Sequence, residues 1–140
     1  NKNGKKTQDL LEILKGLAQP EDYIESEEDN LVKTELHEYI QNILDTKGIS
    51  RGQLIKNTGL NSNYIYQILS GLETSRDKVL AICFTLKLSF EEIQNLLKAT
   101  GYPILYAIIK RDSIIIFALQ HNITLTDTNE LLFDSGYSLI

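Results

Sequence analysis

Apolar residues recur at helical spacing along most of this 140-residue chain. Leu10, Ile13, Leu14 and Leu17 form one stripe over Gln8 to Ala18, which predicts an amphipathic helix that Pro20 stops. The stretch EDYIESEEDN that follows holds six carboxylates without fixed spacing and reads as an acidic linker. Asn30 or Thr34 can open the next helix, which runs through Leu36, Tyr39, Ile40, Ile43 and Leu44 to Gly48. From Ile49 to Gly71 the pattern predicts two short helices joined by a tight turn. Ser50 and Gln53 have the spacing of a capping box, Gly59 stands where the chain must reverse, and Asn61 suits the cap of the second helix. Ile65, Ile68 and Leu69 give that second helix its apolar side, and Gly71 closes it. Helices this short cannot bury their own apolar faces, so a bundle must surround them.

Downstream, Thr74 with Asp77 is expected to cap a helix through Val79, Leu80, Ile82, Cys83 and Leu86. Ser89 with Glu92 forms a second capping box before Ile93, Leu96 and Leu97, and that helix ends at Gly101. The chain then repeats itself at an offset of 35 residues: RDKVLAICFTLKLSFEEIQNLLKATGY from Arg76 aligns without a gap with RDSIIIFALQHNITLTDTNELLFDSGY from Arg111. Each copy reads as a helical hairpin, with Thr124 and Asp127 opening the last helix. Two copies are too few for a solenoid, so a second hairpin stacked on the first bundle is expected. The expectation is eight helices and no sheet.

Composition changes this picture little, because 42% hydrophobic and 24% charged residues are ordinary for a globular domain. No apolar run approaches the ~20 residues that span a bilayer. No apolar signal core follows the polar, basic Asn1 to Thr7, and the lone Cys83 sits in an apolar stretch, so a reducing cytoplasm is the expected setting. Charge is more informative. The net charge is −5, yet residues 47–87 carry six basic residues against two acidic ones, while the segments on either side are net acidic. The positive segment is the one holding the paired short helices, as a nucleic-acid footprint would require.

Catalytic chemistry is missing from the pattern. His37 and His121 have no partner at metal-ligand spacing, no nucleophile–base order stands out, and the glycines mostly end helices rather than form a phosphate loop. Neither an enzyme, a cofactor nor a metal site is expected.

The residues Ser50, Leu54, Gly59-Leu60, Ile65, Ile68 and Gly71 resemble the helix-turn-helix of the Cro/C1 repressor type, also called XRE. The resemblance extends from Leu36 to about Tyr102, and residues 103–140 resemble an extension found in a Firmicutes-type subset. It implies an all-α, lambda-repressor-like five-helix domain over residues 32–102. An N-terminal helix and acidic linker over 1–31 precede it, and a helical hairpin over 103–140 packs on it. It also implies a transcriptional regulator that binds double-stranded DNA as a homodimer, with the second motif helix in the major groove and no membrane contact. Carried over by position, Ser62, Asn63, Tyr66 and Gln67 would meet base edges, and Arg51, Asn61 and Ser70 would meet phosphate. Arg76 and Lys78 would do so from the start of the fourth helix.

Three features depart from the family pattern. Ile55 stands where the family usually has Ala, no Lys or Arg lies between Asn57 and Arg76, and Leu72-Glu73 occupies a loop that is often basic. They leave a second reading open: a helix-turn-helix fold serving as a protein-interaction module, adapter or antitoxin-like, with weak or no DNA binding. Tyr66 and Leu72 would then face a protein partner. Of the two tyrosines on the reading helix, Tyr66 suits the groove better, and Tyr64 is divided between groove and core.

Overall fold

The computed structural model describes residues 33–140, and those from Thr34 onward form one compact unit. The expected helix over Gln8–Ala18 and the acidic linker fall outside the described residues. Within them the chain is all-α, with seven helices and no strand. These are α1 (Leu36–Lys47), α2 (Arg51–Thr58), α3 (Ser62–Leu69), α4 (Arg76–Thr85), α5 (Phe90–Thr100), α6 (Lys110–Gln120) and α7 (Leu125–Asp134).

The helix ends follow local chemistry. Ser50 and Gln53 complete their capping box at 3.1 and 2.9 Å, and Ser89 with Glu92 does the same at 3.1 and 2.8 Å. Gly59 takes φ 76°, a left-handed conformation in which a side chain would be strained, and so turns α2 into α3. Two expected starts differ from the structure. Helix α1 begins after Glu35 rather than at Thr34, whose backbone N–H is instead drawn to the Ala99 carbonyl at 3.0 Å. Helix α4 is capped by Ser75, whose hydroxyl accepts the Lys78 N–H, and not by Thr74. Thr74 is held elsewhere: the Tyr102 hydroxyl donates to its carbonyl at 2.7 Å, and its hydroxyl pairs with that of Tyr64.

Twenty buried apolar side chains from all seven helices and the loops form one core, including Ile40, Leu54, Ile65, Ile82, Leu96, Ile115 and Leu132. Helix α1 packs on α3 and α5, and α2 on α3 and α4. Burial of several whole Leu and Ile side chains, at about 1.5–3 kcal/mol each, is what holds α2 and α3, which are only eight residues long.

The sequence repeat extends to individual hydrogen bonds. Lys87 and Asn122, 35 residues apart, are the only non-glycine residues of the described chain with positive φ, at 57° and 56°. Gly101 and Gly136 match at 88° and 85°. The Gln94 carboxamide accepts the Leu105 N–H at 2.9 Å, and Asn129 accepts the Ile140 N–H at 2.7 Å. Arg76 donates to the carbonyls of Pro103 and Ile104; Arg111 donates to those of Ser138 and Leu139.

The arginine of each copy also pairs with the aspartate of the other. Arg76 meets Asp112 at 2.7 Å, and Arg111 meets Asp77 at 3.1 Å. Helix α4 packs on α7, and α5 on α6. Such reciprocal contacts define a local two-fold relation, as in an isologous interface, rather than the translation of a stacked solenoid. The second hairpin therefore packs on the first face to face, related to it by a two-fold rather than by a translation.

Candidate nucleic-acid interface

The positions of α3 divide cleanly. Ile65, Ile68 and Leu69 are buried, while Ser62, Asn63, Tyr66, Gln67 and Ser70 are exposed, Tyr66 by 49%. Asn61 fixes the start of the helix by accepting the Tyr64 N–H at 3.2 Å. The helix end is tied by Leu72 N–H to the Gln67 carbonyl and Gly71 N–H to the Ile68 carbonyl, at 2.8 and 3.0 Å. With both ends fixed, the exposed polar side chains stand on a rigid element next to the α2–α3 turn. Tyr64 belongs to the other side: it is half-buried against the core, with its hydroxyl on Thr74.

Arg51 is exposed at the first position of α2, with its Nε on the Gln41 Oε1 at 2.8 Å. Gln41 in turn donates to Asp45 at 2.9 Å, so a side chain of α1 orients this arginine. Gln41 carried no sequence signal, because its partner is ten residues away across a helix boundary. Lys56 is exposed on α2, and Lys78 is half-buried on α4. Arg76 differs from the other basic residues in its partners: all its hydrogen bonds run to Asp112, Pro103 and Ile104.

The departures from the family pattern also find their places. Ile55 is half-buried and packs against the core. Leu72 is 43% exposed beside an exposed Glu73, just past α3. Tyr102, which pins this loop through Thr74, has its phenol pushed above the ordinary value, chiefly by burial. Among the described residues no group of metal-ligating side chains converges, and no helix is long and apolar enough to cross a membrane.

Residues 39–98, the span from α1 to α5 that carries these exposed positions, match the Cro/C1-type HTH DNA-binding domain. This segment is a Cro/C1-type helix-turn-helix domain. No curated protein and no solved structure matches the chain. The Cro/C1-type domain accounts for α1 through α5 and ends before α6 and α7, so the hairpin that pairs with Arg76 is an addition to it.

Proposed function

We propose that this protein is a sequence-specific transcriptional regulator that places α3 in the major groove of double-stranded DNA. The observation that carries this reading is the exposed row Ser62, Asn63, Tyr66 and Gln67 opposite a buried apolar row, within a Cro/C1-type DNA-binding domain. Asn and Gln carboxamides can pair bidentately with adenine, and the Tyr66 ring offers apolar contact to a thymine methyl. Arg51, held by Gln41, and Lys78 supply phosphate contacts, with Asn61 and Ser70 as neutral donors. Arg76 we assign to the internal pair with Asp112 rather than to phosphate. Two copies bind a pseudo-palindrome, the arrangement a single reading helix needs to cover successive major-groove turns. Residues 32–102 do the reading and 103–140 brace them. Nothing in the proposed role calls for a cofactor or a reaction.

A second reading rests on a specific observation. Leu72 and Tyr66 are both exposed, the exposed Glu73 follows Leu72, and no Lys or Arg lies in the sequence between Lys56 and Arg76. An apolar and acidic patch of this kind fits a basic protein surface better than a phosphate backbone.

Selection of bound fragments from random duplex DNA by the purified protein separates the two. A regulator enriches one motif, and Asn63→Ala or Gln67→Ala then lowers preference for it by about 1–3 kcal/mol. Failure to enrich any sequence overturns the DNA reading, and retention of a basic protein partner that Leu72→Glu releases establishes the second.

A further inference from the structure

A cleft of about 360 Å³ opens between α1 and the corner that leads into α5. Small-molecule sites span about 300–1,000 Å³, so this one suits a ligand of modest size. None of its lining residues belongs to α3 or to the second hairpin.

Local structure brings six side chains together there. Ile43 and Lys47, one turn apart on α1, line one wall with Asn42. Leu88 lines the other, with Glu92 and Asn95 three residues apart on α5. Leu88 is buried and Ile43 half-buried, so this apolar pair lies deeper than the four polar side chains, which are all exposed. The capping box of α5 holds Glu92 in place: one of its carboxylate oxygens accepts the Ser89 N–H at 2.8 Å. The other oxygen meets no donor among the described residues.

Lys47 and Glu92 put opposite charges on one cleft without joining each other. Among the described residues the ion pairs are Arg76 with Asp112 and Arg111 with Asp77. Asn42 and Asn95 likewise bond to no described side chain or carbonyl, whereas their neighbours Gln41 and Gln94 are both engaged. Gln41 bonds Asp45 and Arg51, and Gln94 holds both backbone groups of Leu105.

A cation and a carboxylate that leave each other open match a ligand carrying both charges. The Lys47 ammonium donates to a carboxylate, and the open oxygen of Glu92 accepts from an ammonium. Each Asn carboxamide adds a donor and an acceptor, and Ile43 with Leu88 receives an apolar side chain. A phosphate ester fits poorly, because the single lysine faces a repelling carboxylate. We propose that this cleft binds a small zwitterion of α-amino-acid type, with its carboxylate at Lys47 and its ammonium at Glu92. A dipeptide carries the same two charged ends on a longer body. Exposed ion pairs are individually weak, so the expected Kd is on the order of a millimolar.

Amide NMR of the 140-residue chain tests this, titrated with each of the twenty free amino acids and, separately, with dipeptides. Glu92→Gln removes the charge but keeps the capping box, in which Gln serves as well as Glu. Lys47→Gln does the same at an exposed helix end. The expected result is a saturable shift of amides in residues 42–47 and 88–95, weakened about 3- to 10-fold by either substitution. The C-terminal amide of the bound amino acid should bind more weakly and no longer respond to Lys47→Gln. Saturation by free amino acids assigns them as the ligand, and saturation by dipeptides alone assigns short peptides. No saturable shift at the cleft with either set overturns the proposal. So does binding that both substitutions leave unchanged.

Discussion

The guanidinium of Arg76 grips the carboxylate of Asp112 through two hydrogen bonds, of 2.7 and 3.3 Å, across a sequence separation of 36 residues. Asp112 is 2% exposed and also accepts the Tyr106 N–H at 3.0 Å, so one buried carboxylate ties α4, the 103–109 connection and α6 together. Its mirror pair, Arg111 with Asp77, is looser at 3.1 and 3.2 Å, and Asp77 is 37% exposed. Removing one partner of a buried pair strands a charge in a low-dielectric site, whereas water heals an exposed one.

Unequal burial makes the two halves of the exchange unequal in energy. Arg76→Ala should lower unfolding free energy by about 3–5 kcal/mol. Arg111→Ala should cost clearly less, because its carboxylate partner is open to solvent. Urea denaturation of the two variants compares them, and equal losses would contradict the geometry.

With α3 in the major groove as proposed, the same geometry predicts different parts for Arg76 and Arg51. Each neutralised phosphate steepens the dependence of log K on log salt by about 0.9. Arg51→Ala should flatten the slope by about that amount, and Lys78→Ala likewise. Arg76→Ala, assayed where it is still folded, should leave the slope as it was. A flattened slope in Arg76→Ala would return this arginine to the phosphate backbone.

Thr74 is pinned from two sides, and the two tyrosines that pin it should differ in cost. Tyr64→Phe removes a hydroxyl pair and should cost about 0.5–1.5 kcal/mol. Tyr102→Phe leaves the Thr74 carbonyl without its donor, which should cost about 1–3 kcal/mol. Thermal melts of both variants measure the difference. A neutral Tyr102→Phe would mean that water replaces the phenol.

Cys83 is fully buried, and burial pushes its thiol up from 9.0 to about 12. Between those values the unfolded chain loses this proton and the folded chain keeps it. The sign is therefore destabilising: the thiol's contribution is intact below pH 9 and is lost progressively toward about pH 12. Iodoacetamide should label Cys83 at pH 8 only as fast as the protein opens, so labelling should accelerate with urea. Rapid labelling of the folded protein would place the thiol at the surface.

Helix-turn-helix, repeat and end caps were legible in the sequence because each rests on short-range chemistry. Ser50 with Gln53, Ser89 with Glu92, Gly59 and Asn61 satisfy backbone groups within three or four residues, so spacing alone located them. The repeat was legible because equal sequence at a fixed offset imposes equal local backbone, down to the left-handed Lys87 and Asn122. Only the tertiary structure decided how the two copies meet. Arg-Asp at the start of each hairpin suits a stacked array as well as a two-fold exchange, and the choice depends on which carboxylate each guanidinium reaches in space. That choice gave Arg76 an internal carboxylate partner that position along the chain could not show. Gln41 behind Arg51, and Thr74 released from capping by Ser75, were hidden for the same reason: their partners are neighbours in the fold but not in the chain.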